Sequence, residues 1–97
     1  MAIQSPQNII DTLSKNKMKL CSFGVKRIGL FGSFATGQAN DKSDIDFVVE
    51  FEKTSFDSYM DLKFFLEETF GRSVDLVTAR ALKPRLKEII LNQAIYA

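Results

Sequence analysis

The run IDFVVEF at residues 45–51 limits what this chain can fold into more than any other stretch. It is dense in β-branched and aromatic residues, which suit a pleated, packed surface. Its consecutive Phe47, Val48 and Val49 imply burial on both faces, as in a central strand. Two further segments supply companions for such a strand, VKRIGLF at 25–31 and SVDLVT at 73–78. Gly29 interrupts the first and marks a bulge or a close backbone approach.

Helical patterns lie between and around these strands. Residues 5–21 read as a helix, with Ser5 as cap, Pro6 at the first helical position and Ile9, Ile10, Leu13 and Leu20 as an approximate apolar stripe. Gly24 ends that segment. A short helix is expected around 33–37, closed by Gly37. Residues 56–70 form the best helical pattern, carrying Tyr59, Met60, Leu62, Phe65, Leu66 and Phe70, with Gly71 as the stop. A last helix, opened by Pro84, spans about 83–92. The order predicts a small α/β or α+β domain, one sheet of three or four strands covered mainly on one side by helices. At 97 residues there is room for one core, so residues 1–97 are expected to make a single domain.

The link between the first two strands carries the chemistry. It reads GSFATGQANDKSDID over residues 32–46. Gly32-Ser33 allows a sharp backbone bend whose N–H groups are suited to meet phosphate. Asp44 and Asp46 are spaced i, i+2, which in a strand puts both side chains on one face, about 6–7 Å apart. Two bare carboxylates at that distance repel by about 3 kcal/mol at an effective dielectric near 20. A hard cation with oxygen ligands relieves this, and Mg²⁺ characteristically takes one or two carboxylates plus substrate phosphates. Asp75 lies among Val74, Leu76 and Val77, where a carboxylate is costly unless paired, protonated or metal-bound. Strand alternation sets Val74 and Leu76 on one face and Asp75 and Val77 on the other, so three carboxylates from two segments can converge on one sheet surface.

Composition removes several alternatives. The chain has no histidine and one cysteine, which excludes a zinc site, a His-based triad and an intrachain disulfide. No uninterrupted apolar stretch suggests a leader or a membrane span, and a cytoplasmic domain is expected. Formal charge is +1, yet acids concentrate in residues 44–75 while Lys15, Lys17, Lys19, Lys26 and Arg27 precede them and Arg80, Lys83, Arg85 and Lys87 follow. Folding could gather those basic flanks around the acidic centre as cations for a triphosphate. Adjacent Phe64 and Phe65 cannot both face inward on one helix. One of them is expected on an apolar patch suited to a partner or a self-dimer.

Gly32-Ser33, Ser43-Asp44-Ile45-Asp46 and Asp75 within VDLV together resemble the GS…DxD…D signature of the DNA polymerase β-like nucleotidyltransferase superfamily. The likeness is greatest to its minimal nucleotidyltransferase (MNT) domains, with a core reading LFGSxARG…SDIDLxV…VDLV, and it covers about residues 23–92. The resemblance implies that Asp44 and Asp46 ligate two Mg²⁺ ions. Asp75 would complete the site and help deprotonate the attacking hydroxyl, while Gly32 and Ser33 hold the β- and γ-phosphates of ATP. It also implies a HEPN-domain partner toxin, with AMP passing to a tyrosine of that partner. The alternative is a nucleotide-binding module that neutralises such a partner by docking alone. The chain lacks the extra helical domain with which aminoglycoside nucleotidyltransferases hold their acceptor. Nor does a basic, aromatic-laced tract offer a nucleic-acid template groove. Thr36 stands where the minimal members usually carry Arg, and Phe34 where Tyr or Arg is frequent. Lys42 and Arg72 are the candidates to replace the missing cation.

Overall fold

A computed structural model describes residues 5–40 and 42–97 of the chain. Residues 1–4 and 41 of the expected 1–97 domain lie outside the described residues. The elements run α1 (Pro6–Lys15), α2 (Lys17–Ser22), β1 (Val25–Phe31), α3 (Gly32–Thr36), β2 (Ile45–Phe51), α4 (Phe56–Phe70), β3 (Val74–Thr78), α5 (Pro84–Gln93) and β4 (Ile95–Tyr96). A 3₁₀ turn at Ala79–Ala81 joins β3 to α5.

Among the described residues the strands form one mixed sheet in the order β3-β2-β1-β4. β1 pairs antiparallel with β2 and β4, and β2 pairs parallel with β3. β2 is therefore internal, as its Phe47, Val48 and Val49 run predicted, and all three residues are buried. Alternation sorts the two faces. Ile28, Leu30, Ile45, Phe47, Val49, Val74 and Leu76 join Ile9, Leu13, Leu20, Phe34, Leu62, Leu66 and Phe70 in the main apolar cluster. That cluster lies between the sheet and the helices α1, α2 and α4. The opposite face carries Asp46, Val48 and Glu50 from β2 and Asp75 from β3, by the pleat.

The expected helix over 5–21 is in fact two helices broken at Asn16. Asn16 leaves helical geometry with φ −105° and ψ 21°. Its side-chain Nδ2 donates to the Thr12 carbonyl at 2.8 Å while its backbone N–H is shared between Thr12 and Leu13 carbonyls. An Asn side chain that competes for backbone partners favours this kind of stop. The break redirects Leu20 into the core. Ser5 caps α1 and Ser55 caps α4 through side-chain oxygens. Gly71 closes α4 in the left-handed region, φ +63°. Phe65 packs against Phe23 with ring centroids 5.5 Å apart, leaving its neighbour Phe64 58 % exposed.

β4 was invisible to periodicity because it is two residues long. It exists because Gly29 leaves room for it. A Cβ on Gly29 would lie 3.0 Å from the Tyr96 ring and 3.3 Å from the Ala94 Cβ. Of the two readings of Gly29, close approach is the one realised, and the ladder irregularity falls instead between Val25 and Arg27.

Candidate active site

Strand register gathers the acidic residues at one end of the sheet. Phe31 of β1 stands opposite Asp46 of β2, and Asp46 stands opposite Asp75 of β3. Directly opposed residues point to the same face, so the Asp46 and Asp75 carboxylates share the surface away from the main core. Asp44 lies just before β2 rather than within it, in the loop that returns from α3. Asp46 is half-buried, and Asp44 and Asp75 are exposed. Burial first, then the charges of Asp75 and Asp44, raise the Asp46 carboxyl from 3.8 to about 6. Desolvation and neighbouring like charge both disfavour the ionised form of a carboxylate.

Gly32 follows Phe31 directly and thus sits against Asp46. Its φ is +72°, and a Cβ there would fall 2.1 Å from Asp46 Oδ2. Two independent constraints, a left-handed backbone and a carboxylate in contact, demand glycine at this point. Ser33 follows as the second residue of α3, half-buried beside it. The Gly32 N–H, anticipated as open to phosphate, is already engaged: it donates to Gln93 Oε1 at 3.1 Å, from the last residue of α5.

The loop carrying Asp44 is held by short-range bonds and one long-range strap. Asn40 N–H donates to Ser43 Oγ at 2.9 Å and Lys42 N–H to Asn40 Oδ1 at 2.8 Å. Ser43 thus steadies the turn before Asp44. Arg72, just past α4, donates to the Ser43 carbonyl at 2.9 Å and the Asn40 carbonyl at 3.4 Å, with its guanidinium 5.2 Å from the Phe34 ring centroid. β3 is fixed from α4: Val74 N–H donates to Glu67 Oε2 at 3.0 Å, and Tyr59 Oη donates to the Leu76 carbonyl. These bonds set the height of Asp75 against Asp46.

Thr36 brings no charge to the place of the family arginine. Thr36 turns its hydroxyl back onto the Gly32 and Ser33 carbonyls of its own helix, at 3.3 Å each. Arg72 is engaged with the loop, as described. Of the basic flanks, Lys26, Arg27, Arg80 and Lys87 are not gathered around the carboxylates. Lys26, Arg80 and Lys87 line a cleft of about 410 Å³ beside Val49–Thr54, towards the far end of β2 and β3. Arg27 pairs with Glu50 at 3.4 Å and stacks 4.1 Å from the Tyr96 ring centroid. That cleft contains none of the three aspartates, of which Asp44 and Asp75 are exposed and Asp46 half-buried.

Among the described residues no group of three or more His, Cys, Asp or Glu side chains is placed to hold a metal ion. The donor chemistry nevertheless suits Mg²⁺, which binds through one or two carboxylates and completes its shell with substrate phosphates and water. A cation beside Asp46 would favour its ionised form, against the burial and the like charges that raise its carboxyl. An open, oxygen-only, carboxylate-rich site fits a cation delivered together with a nucleotide.

Fold and site together define a minimal nucleotidyltransferase. The chain belongs to the nucleotidyltransferase domain family, whose sequence profile matches residues 13–97, and it is a nucleotidyltransferase. A curated relative, the protein adenylyltransferase MntA of Thermococcus cleftensis, is 36 % identical over 98 residues, covering 99 % of each chain. A solved structure provisionally described as a minimal nucleotidyltransferase superposes with TM-score 0.83 at 32 % identity, covering 98 % of both chains. A toxin–antitoxin crystal structure with AMP-PNP aligns with TM-score 0.69 at 26 % identity, covering 96 % of this chain and 72 % of that one.

Sequence reasoning singled out all three aspartates and the Gly-Ser turn, and the structure brings these together. It missed Gln93 and Glu67. Neither had a local signal, since each acts on backbone that is distant in sequence or lies in another element. No helix among the described residues is long and apolar enough to cross a membrane.

Proposed function

We propose that this chain, acting as a single domain over residues 1–97, transfers AMP from ATP to a tyrosine hydroxyl of a HEPN-type partner toxin, and so serves as its antitoxin. The observation that carries this reading is the register Asp46 opposite Asp75 with Gly32 seated on the Asp46 carboxylate. It sets the Gly32-Ser33 turn beside the paired aspartates, which supports reading the one as a phosphate site and the other as a cation site. Similarity to a protein adenylyltransferase and to a toxin–antitoxin complex with a nucleotide analogue supports the choice of nucleotide and acceptor class.

In this reading Asp44 and Asp46 hold two Mg²⁺ ions, with Asp75 completing the set. Bound Mg²⁺ supplies charge neutralisation for the triphosphate and a lowered barrier at the α-phosphorus. Gly32 lets the chain approach the β- and γ-phosphates closely, and Ser33 offers its N–H and hydroxyl to them. Asp75, the most open of the carboxylates on the sheet face, takes the proton of the attacking hydroxyl. The hydroxyl oxygen then bonds to the α-phosphorus, the bond to the bridging oxygen breaks, and pyrophosphate leaves. Protein groups need only align reactants and neutralise charge. The exposed free thiol of Cys21 suits a reducing, ATP-containing cytoplasm.

The acceptor in this reading comes from a partner, in keeping with the similarity to a toxin–antitoxin structure. The test is transfer of label from α-³²P-ATP with Mg²⁺ to the co-purified partner. The Asp44→Asn/Asp46→Asn double variant serves as control. Label that disappears in the variant establishes the transfer. A stable complex that suppresses toxicity equally well with the variant, and carries no label, would replace this reading with occlusion by docking.

A further inference from the structure

We infer that Gln93 is a nucleotide-positioning residue, its side-chain amide relaying the Gly32 N–H outward to the polyphosphate. This rests on Gly32-Ser33 being the phosphate site proposed above. The bond to Gly32 settles which end of the Gln93 amide faces which way. A backbone N–H only donates, so the atom 3.1 Å from it is the carbonyl oxygen. Nε2 must then face away from Gly32, carrying two hydrogens, and among the described residues it donates to nothing. One carbon separates the two ends of the amide. Nε2 therefore remains within hydrogen-bond reach of an anion seated at the turn.

The chemistry suits the surroundings. Asp46 and Asp75 stand opposite one another at this end of the sheet, with Asp44 just before β2. A glutamate in place of Gln93 could accept from Gly32 equally well but would add a fourth negative charge. Glutamine accepts from the backbone and donates to an anion without carrying charge. Its position is fixed as well as its chemistry. Gln93 ends α5, and the residues that follow are pinned: Ala94 N–H donates to the Ile90 carbonyl at 2.9 Å, Ile95–Tyr96 pair with Leu30 and Gly29, and Ala94 and Tyr96 pack on Gly29. The C-terminal segment thereby delivers one side chain to a turn 61 residues earlier.

The experiment measures binding of a fluorescent ATP analogue to the full chain with Mg²⁺, for the wild type, Gln93→Ala, Gln93→Lys and Ser33→Ala. Gln93 is exposed, so its variants are expected to unfold at the wild-type temperature. Gln93→Ala should weaken binding about tenfold, the low end for a hydrogen bond to a charged group. Gln93→Lys cannot accept from Gly32 but can donate to phosphate, and should recover most of the lost affinity. Wild-type affinity in Gln93→Ala, or Gln93→Lys as weak as Gln93→Ala, would overturn the inference, the second result reducing Gln93 to a support for the turn. If Ser33→Ala also leaves binding unchanged, or the wild type binds no nucleotide, the phosphate-site reading itself has failed. If Ser33→Ala weakens binding while the Gln93 variants do not, only the role of Gln93 is lost.

Discussion

Replacing Asp46 with Asn should make the metal-free protein more stable while abolishing its activity. The folded chain raises this carboxyl from 3.8 to about 6, through burial and then the charges of Asp75 and Asp44. Between those two values the folded state holds a proton that the unfolded chain releases, so stability falls as pH rises through this window. At neutral pH the ionised carboxylate costs the fold its full share. A shift of about two units corresponds to roughly 3 kcal/mol for a fully shielded group. Asp46 is only half-buried at an open sheet end, and solvent screening reduces this to about 1–2 kcal/mol. Asparagine has the same shape and no charge. In a domain of this size the gain should raise the melting temperature by roughly 5–10 °C. The assay is urea unfolding at pH 7.5 in EDTA, repeated near pH 4. The variant should lead clearly at the higher pH, and the gap should narrow at the lower, where Asp46 of the wild type is protonated in the folded state and partly so in the unfolded. Adding Mg²⁺ with nucleotide should favour the wild type, because ligands that bind only the folded state stabilise it. An asparagine variant no more stable than wild type at pH 7.5 in EDTA would refute the claim that these carboxylates strain one another.

Two further substitutions probe the supports of the site. Gly32→Ala forces a side chain into the left-handed region and 2.1 Å from Asp46 Oδ2. The cost should be about 3 kcal/mol from backbone strain and overpacking together, with nucleotide binding lost, and a penalty below about 1 kcal/mol by urea titration would contradict the geometry. Arg72→Ala removes the bonds to the Ser43 and Asn40 carbonyls and the stacking on Phe34. It should lower stability by about 1–2 kcal/mol and raise the KM for ATP through a loosened Asp44 loop, and unchanged cleavage of residues 38–44 by a protease would argue against the strap.

The amino-acid sequence by itself determined the strands at 25–31 and 45–51, the helix at 56–70 and its stop at Gly71. These signals are local: β-branched and aromatic runs, a 3.6-residue apolar period, and a glycine where the backbone turns left-handed. It also singled out the Gly-Ser turn and the three aspartates as a candidate site, because their residue types suit phosphate and a hard cation. The tertiary structure alone decided the rest. The Asp46–Asp75 register depends on how β2 and β3 align. The break at Asn16 takes Leu20 into the core, and β4 depends on Tyr96 finding the space above Gly29. The fold also carried Lys26, Arg80 and Lys87 away from the acidic centre, since net charge along a chain says nothing about which faces will meet. Gln93 shows the difference most plainly. Nothing in the residues around it points to Gly32, and only the crossing of α5 from one edge of the sheet to the other brings the amide to the turn.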